Sequence, residues 1–362
     1  MKTERFVSLD VLRGLTIIGM IMVNAQGMGD SFSFLCHSPW NGCTIADFVY
    51  PFFLFIVGAA IHFALKKSNY NLNSRIALKI IKRGALIFLV GFLLHSFPYT
   101  EPLENWRIMG VLQRIAVVYI IASLLILWIK SFKKILILSI GILLIYWGIL
   151  ILWGNSLEHN AALTVDRFLF GESHLYRGYG IPFDPEGLSS SFPSVVNALC
   201  GYLAAVMLVK EHSRTQIPFR FGLAGVCMIL IALLWNIINP FNKPLWSSSF
   251  VLFTCGWAIV IWFVMFWLID IKKWNGWTGF FLVFGTNALF TYVLSEFLLM
   301  VNWLCPFTIG NTEYYAATWL DTFIFEPLTT TPLRSALLGI TVLLVCWVIT
   351  YPLYKKHIYI KL

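Results

Sequence analysis

The chain has 362 residues, 59% hydrophobic and only 12% charged, with 31 Phe and 15 Trp, whereas soluble domains carry roughly a quarter charged residues. No soluble fold can cover that much apolar surface, so the chain belongs in lipid and its length measures membrane spans rather than domains. The net charge of +9 implies no nucleic-acid partner, because the placement of Lys and Arg accounts for it as membrane topology.

Apolar runs long enough to cross a bilayer fall at 9–27, 47–65, 83–98, 108–129, 135–153, 191–209, 221–238, 248–270, 279–303 and 333–354. They predict an all-α polytopic transmembrane bundle of about ten helices, a single domain over 1–362 with both termini cytoplasmic. With residue 1 inside, only Arg107, Arg167, Arg177, Lys243 and Arg334 lie on the outer side, and Arg13 and Arg114 lie within spans. Every other Lys and Arg is cytoplasmic, as the positive-inside rule requires. The first run resembles a signal peptide, but Arg13 interrupts it and the apolar pattern resumes from Trp40, so it is read as an uncleaved helix.

Ionisable groups are costly near a bilayer unless paired, so their clusters mark candidate sites. Arg5, Ser8, Asp10 and Arg13 open the first helix, with Ser8 as a candidate N-cap and Asp10 and Arg13 as an interfacial ion pair of structural rather than catalytic type. At its outer end stands Asn24; the next loop carries His37 and Trp40-Asn41-Gly42-Cys43-Thr44, and Asp47 begins the second helix. An amide, an imidazole and a carboxylate on one membrane face suit general-base chemistry: the imidazole takes a proton, the carboxylate orients it and the amide positions a carbonyl. Taken alone, His37 is equally an ordinary loop histidine and Asp47 a helix cap.

Gln113 and Arg114 lie about one turn inside the fourth helix, where an arginine needs a partner, a wet cavity or an anionic ligand; Asp47 or Asp184 could pair with it, and contact with a ligand is the equal alternative. The outer loop 154–190 is rich in charge and includes Asp184 and Glu186. Asn287 and Glu296, in the ninth helix, are either interhelical hydrogen-bonding groups or site residues. Interruptions of helices are expected only near Gly58 and Gly110. The other histidines are assigned no chemistry. The seven cysteines form no CxxC pair or Cys/His cluster, so no metal is expected. Most are read as small packing residues, and Cys36 and Cys43, both on the outer side, are the two that could bond to each other.

The runs Ser8-Leu9-Asp10-Val11-Leu12-Arg13-Gly14, Val23-Asn24, His37-Ser38-Pro39-Trp40-Asn41-Gly42-Cys43-Thr44-Ile45-Ala46-Asp47 and Pro51-Phe52-Phe53-Leu54-Phe55-Ile56-Val57-Gly58 follow one another in an order that resembles the heparan-α-glucosaminide N-acetyltransferase family, in particular its bacterial members. Looser matches continue at Gly110-Val111-Leu112-Gln113-Arg114-Ile115-Ala116, Phe183-Asp184-Pro185-Glu186-Gly187-Leu188 and Gly285-Thr286-Asn287-Ala288-Leu289. The resemblance implies an acyltransferase that moves acetyl from cytosolic acetyl-CoA to the amine of a glucosamine on the far side of a membrane. His37 falls on the family's essential histidine, as base or acyl carrier, and Asn24 on the asparagine that works with it. Asp47 would be the third catalytic group, and Trp40, Asn41, Gln113, Arg114, Asp184, Glu186 and Asn287 the substrate-binding set.

Acetyl-CoA is highly charged, and Arg13, Lys82 and Arg83 on the cytoplasmic rim are the candidate contacts for its nucleotide. The Ser-Leu-Asp run stands at the N-terminus, where lysosomal members carry a further helix and a lumenal domain. An envelope glycan, a scavenged glycan fragment or another amino sugar is therefore as fitting an acceptor as heparan sulfate. The expected setting is a homodimer in a bacterial inner membrane. The rival from another class is a transporter of a small polar or glycan-derived solute, in which Arg114, Asp184 and Glu186 would line a path.

Overall fold

A computed structural model describes residues 6–26, 31–212, 218–310 and 312–360; Arg5 lies outside them. The chain is helical almost throughout, and it folds back and forth through α1 (Val7–Asn24), α2 (Ile45–Lys66), α3 (Ser74–Ser96), α4 (Val111–Ile129) and α5 (Phe132–Trp153). After a short outer helix, α6 (Ala161–Phe170), come α7 (Leu188–His212), α8 (Phe219–Asn236), α9 (Ser248–Met265), α10 (Thr278–Thr286) and α11 (Ala288–Leu304). A hairpin of β1 (Phe307–Ile309) and β2 (Thr312–Tyr314), paired Phe307 to Tyr314, precedes α12 (Ala316–Leu320) and α13 (Thr331–Lys355).

Among the described residues, eight helices are long and apolar enough to cross a membrane, and α10 with α11 would form a ninth as one broken span. The protein is thus an all-α integral membrane bundle. The remaining predicted run, 83–98, is the second half of α3. That helix begins earlier, at Ser74, and carries Arg75, Lys79, Lys82 and Arg83 in its first three turns. The predicted helix 279–303 is not continuous: the chain bends by 83° at Asn287. By contrast α2 runs straight through Gly58, so the interruption expected there is absent.

Small residues set the closest approaches. Gly14 of α1 faces the Phe281 carbonyl of α10, and Gly285 faces the Asp10 carbonyl in return. A methyl group at either position would overlap backbone, which is how small residues let membrane helices pack. Gly58 and Gly201 lock α2 against α7 in the same way.

The α1 N-terminus is satisfied by a residue from far along the chain rather than by Ser8. Asp270, in the π-helical turn after α9, accepts from Val7 N at 3.1 Å and Ser8 N at 3.1 Å. A carboxylate there meets both the free N–H groups and the positive end of the helix. Ser8 lies one residue inside the helix, buried, where its hydroxyl accepts from Trp262 Nε1 at 3.3 Å. Arg13 pairs with Asp10 at 2.9 Å, as its i,i+3 spacing predicts.

Candidate functional site

The ends of α1 and α2 that the charge pattern of the sequence assigns to the outer side are joined by the loop that carries His37. The loop is drawn tight at its end. Thr44 donates its N–H to Asp47 Oδ2 at 3.0 Å, and the Thr44 hydroxyl lies 3.1 Å from the same oxygen and 2.8 Å from the Cys36 carbonyl. Ser38 N donates to Asp47 Oδ2 at 3.2 Å. The cap of α2 therefore spends one oxygen of Asp47 on the loop and leaves the other, Oδ1, 2.8 Å from His37 Nδ1. A carboxylate at that distance fixes the proton on Nδ1 and leaves Nε2 as the free base. Asp47 is fully buried, whereas the His37 side chain is 46% exposed. The pair thus consists of a rigid anchor and an accessible ring.

The loop's tip is pinned to the α8–α9 connection. Gly42 has φ +119°, a left-handed conformation that suits glycine, and its N–H reaches the Phe241 carbonyl at 2.7 Å. Asn242 donates to Asn41 Oδ1 at 3.2 Å. This contact brings in Lys243, whose Nζ stands 3.0 Å from His37 Nδ1, 3.1 Å from His37 Nε2 and 3.4 Å from Asp47 Oδ1. Burial pulls the Lys243 ammonium below the usual lysine range, while Asp47 and Glu186 pull it back up. Burial and the nearby Asp47 charge push the Cys43 thiol up to about 12. Cys36 and Cys43 are both free thiols.

A third segment, Asp184–Gly187, enters from the loop before α7. Arg107 binds Asp184 through two hydrogen bonds, at 2.8 and 2.7 Å, and Glu186 at 2.6 Å. Burial raises the Glu186 carboxyl, but Arg107, Arg114 and Lys243 outweigh it and hold the group below its ordinary range. Arg114 is fully buried and pairs with neither Asp47 nor Asp184, the two carboxylates available to it by sequence. Arg107 has already taken Asp184, and Arg114 instead donates to the Pro185 carbonyl at 2.6 Å, the Gly187 carbonyl at 3.3 Å and the Ser190 hydroxyl. Its guanidinium lies 4.8 Å from the Trp246 ring centroid. Arg114 thus shapes the backbone on either side of Glu186.

These segments enclose a cavity of about 130 Å³ lined by Asn24, His37, Tyr50, Glu186, Lys243 and Tyr292, with Met20, Val23, Ala46, Val49 and Val111 as its apolar wall. Asn24 donates to Glu296 of α11 at 2.7 Å, an interhelical bond that sets the amide at the cavity's edge. Small, half-open and holding a base, a cation, an anion and an amide, the space suits proton transfer and the stabilisation of developing charge.

The other predicted residues stand outside this cavity. Trp40 donates to the Asn155 carbonyl at 2.9 Å and packs edge-on against Phe183, while Asn41 joins the loops. Gln113 is buried beside Gly91 and Gly110. Asn287 occupies the break between α10 and α11, where it donates to the Ile358 carbonyl at 3.0 Å and accepts from Ile360 N at 2.9 Å. Its neighbour Gly285 touches Asp10, so along α1 it lies roughly 20 Å from Asn24 at 1.5 Å per residue. Arg13 is tied to Asp10 and to the Gly285 carbonyl at 3.2 Å. Lys82 and Arg83 are exposed on α3, with Arg83 5.1 Å from the Tyr119 ring. No group of three or more His, Cys, Asp or Glu among the described residues can hold a metal.

Lys243 is the residue that sequence reasoning missed, along with Tyr50 and Tyr292. A signal was present: basic residues are scarce on the outer side, and this one sits between Pro240 and Pro244 in a stiff loop.

Residues 5–220 match the family described as heparan-alpha-glucosaminide N-acetyltransferase, catalytic. The chain is 28% identical over 356 residues to the heparan-alpha-glucosaminide N-acetyltransferase of Mus musculus, covering 82% of this chain and 54% of that protein. The human protein of the same name is 29% identical over 354 residues, covering 81% of this chain and 53% of its own length. The chain spans about half the length of the curated relatives it matches.

Proposed function

The chain belongs to the heparan-alpha-glucosaminide N-acetyltransferase family, and from that premise we propose that it moves the acetyl group of cytosolic acetyl-CoA to the amine of a glucosamine-type sugar on the outer side of a bacterial inner membrane. The whole chain acts as one acyltransferase unit, assembled as a homodimer. The observation that carries this reading is the cavity itself, in which His37, oriented by Asp47 at 2.8 Å, faces the same small space as Asn24, Glu186 and Lys243.

In this reaction His37 Nε2 works either as the base that takes the amine proton or as the atom that carries acetyl between donor and acceptor; both use the nitrogen left free by Asp47. Asp47 holds the ring and stabilises its charged form. Asn24 positions the carbonyl. Glu186, kept anionic by Arg107 and Arg114, supplies a counter-charge for the sugar's ammonium before it loses its proton. Trp40, Asn41, Gln113 and Arg114 support the walls rather than touch the reacting atoms. Arg13 lies in the second turn of α1, and Lys82 and Arg83 stand exposed near the middle of α3, where a nucleotide arriving from the cytoplasm would meet basic side chains.

The transporter reading would draw on the broken α10–α11 span, since interrupted helices line many transport paths. Here the side-chain amide of Asn287 at the break is bound to the backbone of Ile358 and Ile360. That bonding favours the enzyme.

The test uses purified wild type and His37→Ala in detergent, supplied with acetyl-CoA and glucosamine, with released CoA and acetylated sugar followed by mass spectrometry. Wild type should form N-acetylglucosamine and the variant should not, while both bind acetyl-CoA. Failure of the wild type to turn over acetyl-CoA with any of several amino sugars removes the reading.

A further inference from the structure

Lys243 stands at nearly equal distances, 3.0 and 3.1 Å, from the two ring nitrogens of His37. Those nitrogens flank Cε1, so an in-plane approach at that range would collide with Cε1, and Nζ must lie over the ring face. It therefore blocks neither in-plane direction. Nδ1 keeps its bond to Asp47, and the Nε2 lone pair stays open to a substrate.

A purely structural reading makes Lys243 the counter-ion of Asp47. The geometry argues against that as its whole role. Asp47 Oδ2 already receives two backbone N–H groups, and Oδ1 faces His37 at 2.8 Å against 3.4 Å for Lys243. The lysine side chain is 15% exposed, and it lines the cavity beside His37. Its backbone is fixed: Trp246 N donates to the Lys243 carbonyl at 3.0 Å, and the neighbouring Asn242 accepts from Leu245 N at 2.7 Å while donating to Asn41. The turn fixes where the side chain starts, and burial against His37 and Asp47 keeps the ammonium on the cavity wall. Preorganised charge of this kind stabilises an oxyanion because it does not have to reorient as the charge develops.

Building on the acetyltransferase reading, we infer that Lys243 is a further catalytic residue, the cation that receives the acetyl carbonyl oxygen as it becomes an oxyanion while His37 Nε2 handles the proton. The amine lone pair forms the C–N bond to the thioester carbonyl carbon. The carbonyl electron pair moves onto oxygen beside Nζ, and the amine proton passes to Nε2. On collapse the C=O bond reforms, the C–S bond breaks, and the departing thiolate takes the proton from the imidazolium. An amide and a free thiol result, with no redox change.

The charge must be present for this role. Asp47, Glu186, Cys43 and His37 surround the ammonium, together with the hydroxyls of Tyr50 and Tyr292 on the cavity wall. Burial makes the ammonium deprotonate below the ordinary lysine range, so wild-type kcat should decline on the alkaline side as that charge is lost.

The experiment compares wild type, Lys243→Met and Lys243→Arg in detergent, each confirmed folded by an unchanged thermal transition, with acetyl-CoA and glucosamine as substrates. Lys243→Met should lower kcat by about 10² to 10³-fold with little change in the KM for acetyl-CoA, the usual loss for an oxyanion partner. Lys243→Arg should recover part of that loss and carry the alkaline limb to higher pH, because guanidinium keeps its charge. A folded Lys243→Met variant as fast as an active wild type, or an alkaline limb that Lys243→Arg leaves in place, overturns the inference alone. A wild type that acetylates no amino sugar overturns the acetyltransferase reading and this inference with it.

Discussion

The two ends of the bundle, outer and inner by the charge pattern of the sequence, use polar residues in opposite ways. At the outer end, three segments far apart in sequence, around His37, Glu186 and Lys243, close on one small cavity and hold its charged groups with short contacts. At the inner end the basic residues are spread out. Arg13 is spent on Asp10 and the Gly285 carbonyl, and Lys82 and Arg83 lie exposed on α3, which packs chiefly on α4. Chemistry demands fixed geometry, whereas the phosphates of the proposed nucleotide donor would be served by any cationic rim. The contrast therefore predicts steep, specific losses outside and shallow, additive ones inside.

His37→Ala should produce the largest loss, about 10³-fold or more in kcat, because one atom serves as base or carrier. Steady-state rates with saturating acetyl-CoA measure it, and a loss below tenfold would break the comparison at its strongest point. Arg107→Ala should act on stability. It strands Asp184, which is fully buried, and Glu186, and removing one partner of a buried ion pair costs about 3 kcal/mol. Thermal unfolding in detergent should show a clear drop, partly reversed in the Arg107→Ala, Glu186→Gln double variant.

Asp47→Asn should keep the fold yet reduce kcat about 10²-fold, since the amide no longer dictates the His37 tautomer. A rise in the KM for acetyl-CoA with unchanged kcat would instead make Asp47 a binding residue. The smallest effects belong to the inner rim: Arg13→Ala, Lys82→Ala and Arg83→Ala should each raise the KM for acetyl-CoA by less than about tenfold, in line with single charge-assisted contacts of about 1 kcal/mol each. Weaker binding at high salt should accompany them, as screening acts on exposed charges. If none of the three moves KM, the nucleotide is held elsewhere.

Much of this contrast was legible in the residues. The pairing of Asp10 with Arg13 follows from i,i+3 spacing, and the capping of α2 by Asp47 from its place in the first turn. His37 and Asp47 are ten residues apart, on one loop and the helix that it enters, which put them within reach of each other. Other features were hidden. The cap on α1 comes from Asp270, 263 positions beyond Val7, and no local pattern announces it. Arg114 could have found a carboxylate and found backbone carbonyls, because Arg107 occupies both carboxylates of the Asp184–Glu186 pair.

Hydropathy and charge by themselves determined that this protein is an all-α membrane bundle, because burial in lipid acts on each apolar run separately. Local spacing put His37 within reach of Asp47, and the cap bonds of Ser38 and Thr44 to that carboxylate fixed the pair. Only the tertiary structure decided that Lys243 joins that pair across 206 positions, that Glu186 shares its cavity, and that Asn287 lies at a break bonded to Ile358 and Ile360. Those outcomes depend on how helices pack side by side. Packing is governed by close contacts such as Gly14 against Phe281 and Gly58 against Ala198, which a single chain read in order does not display.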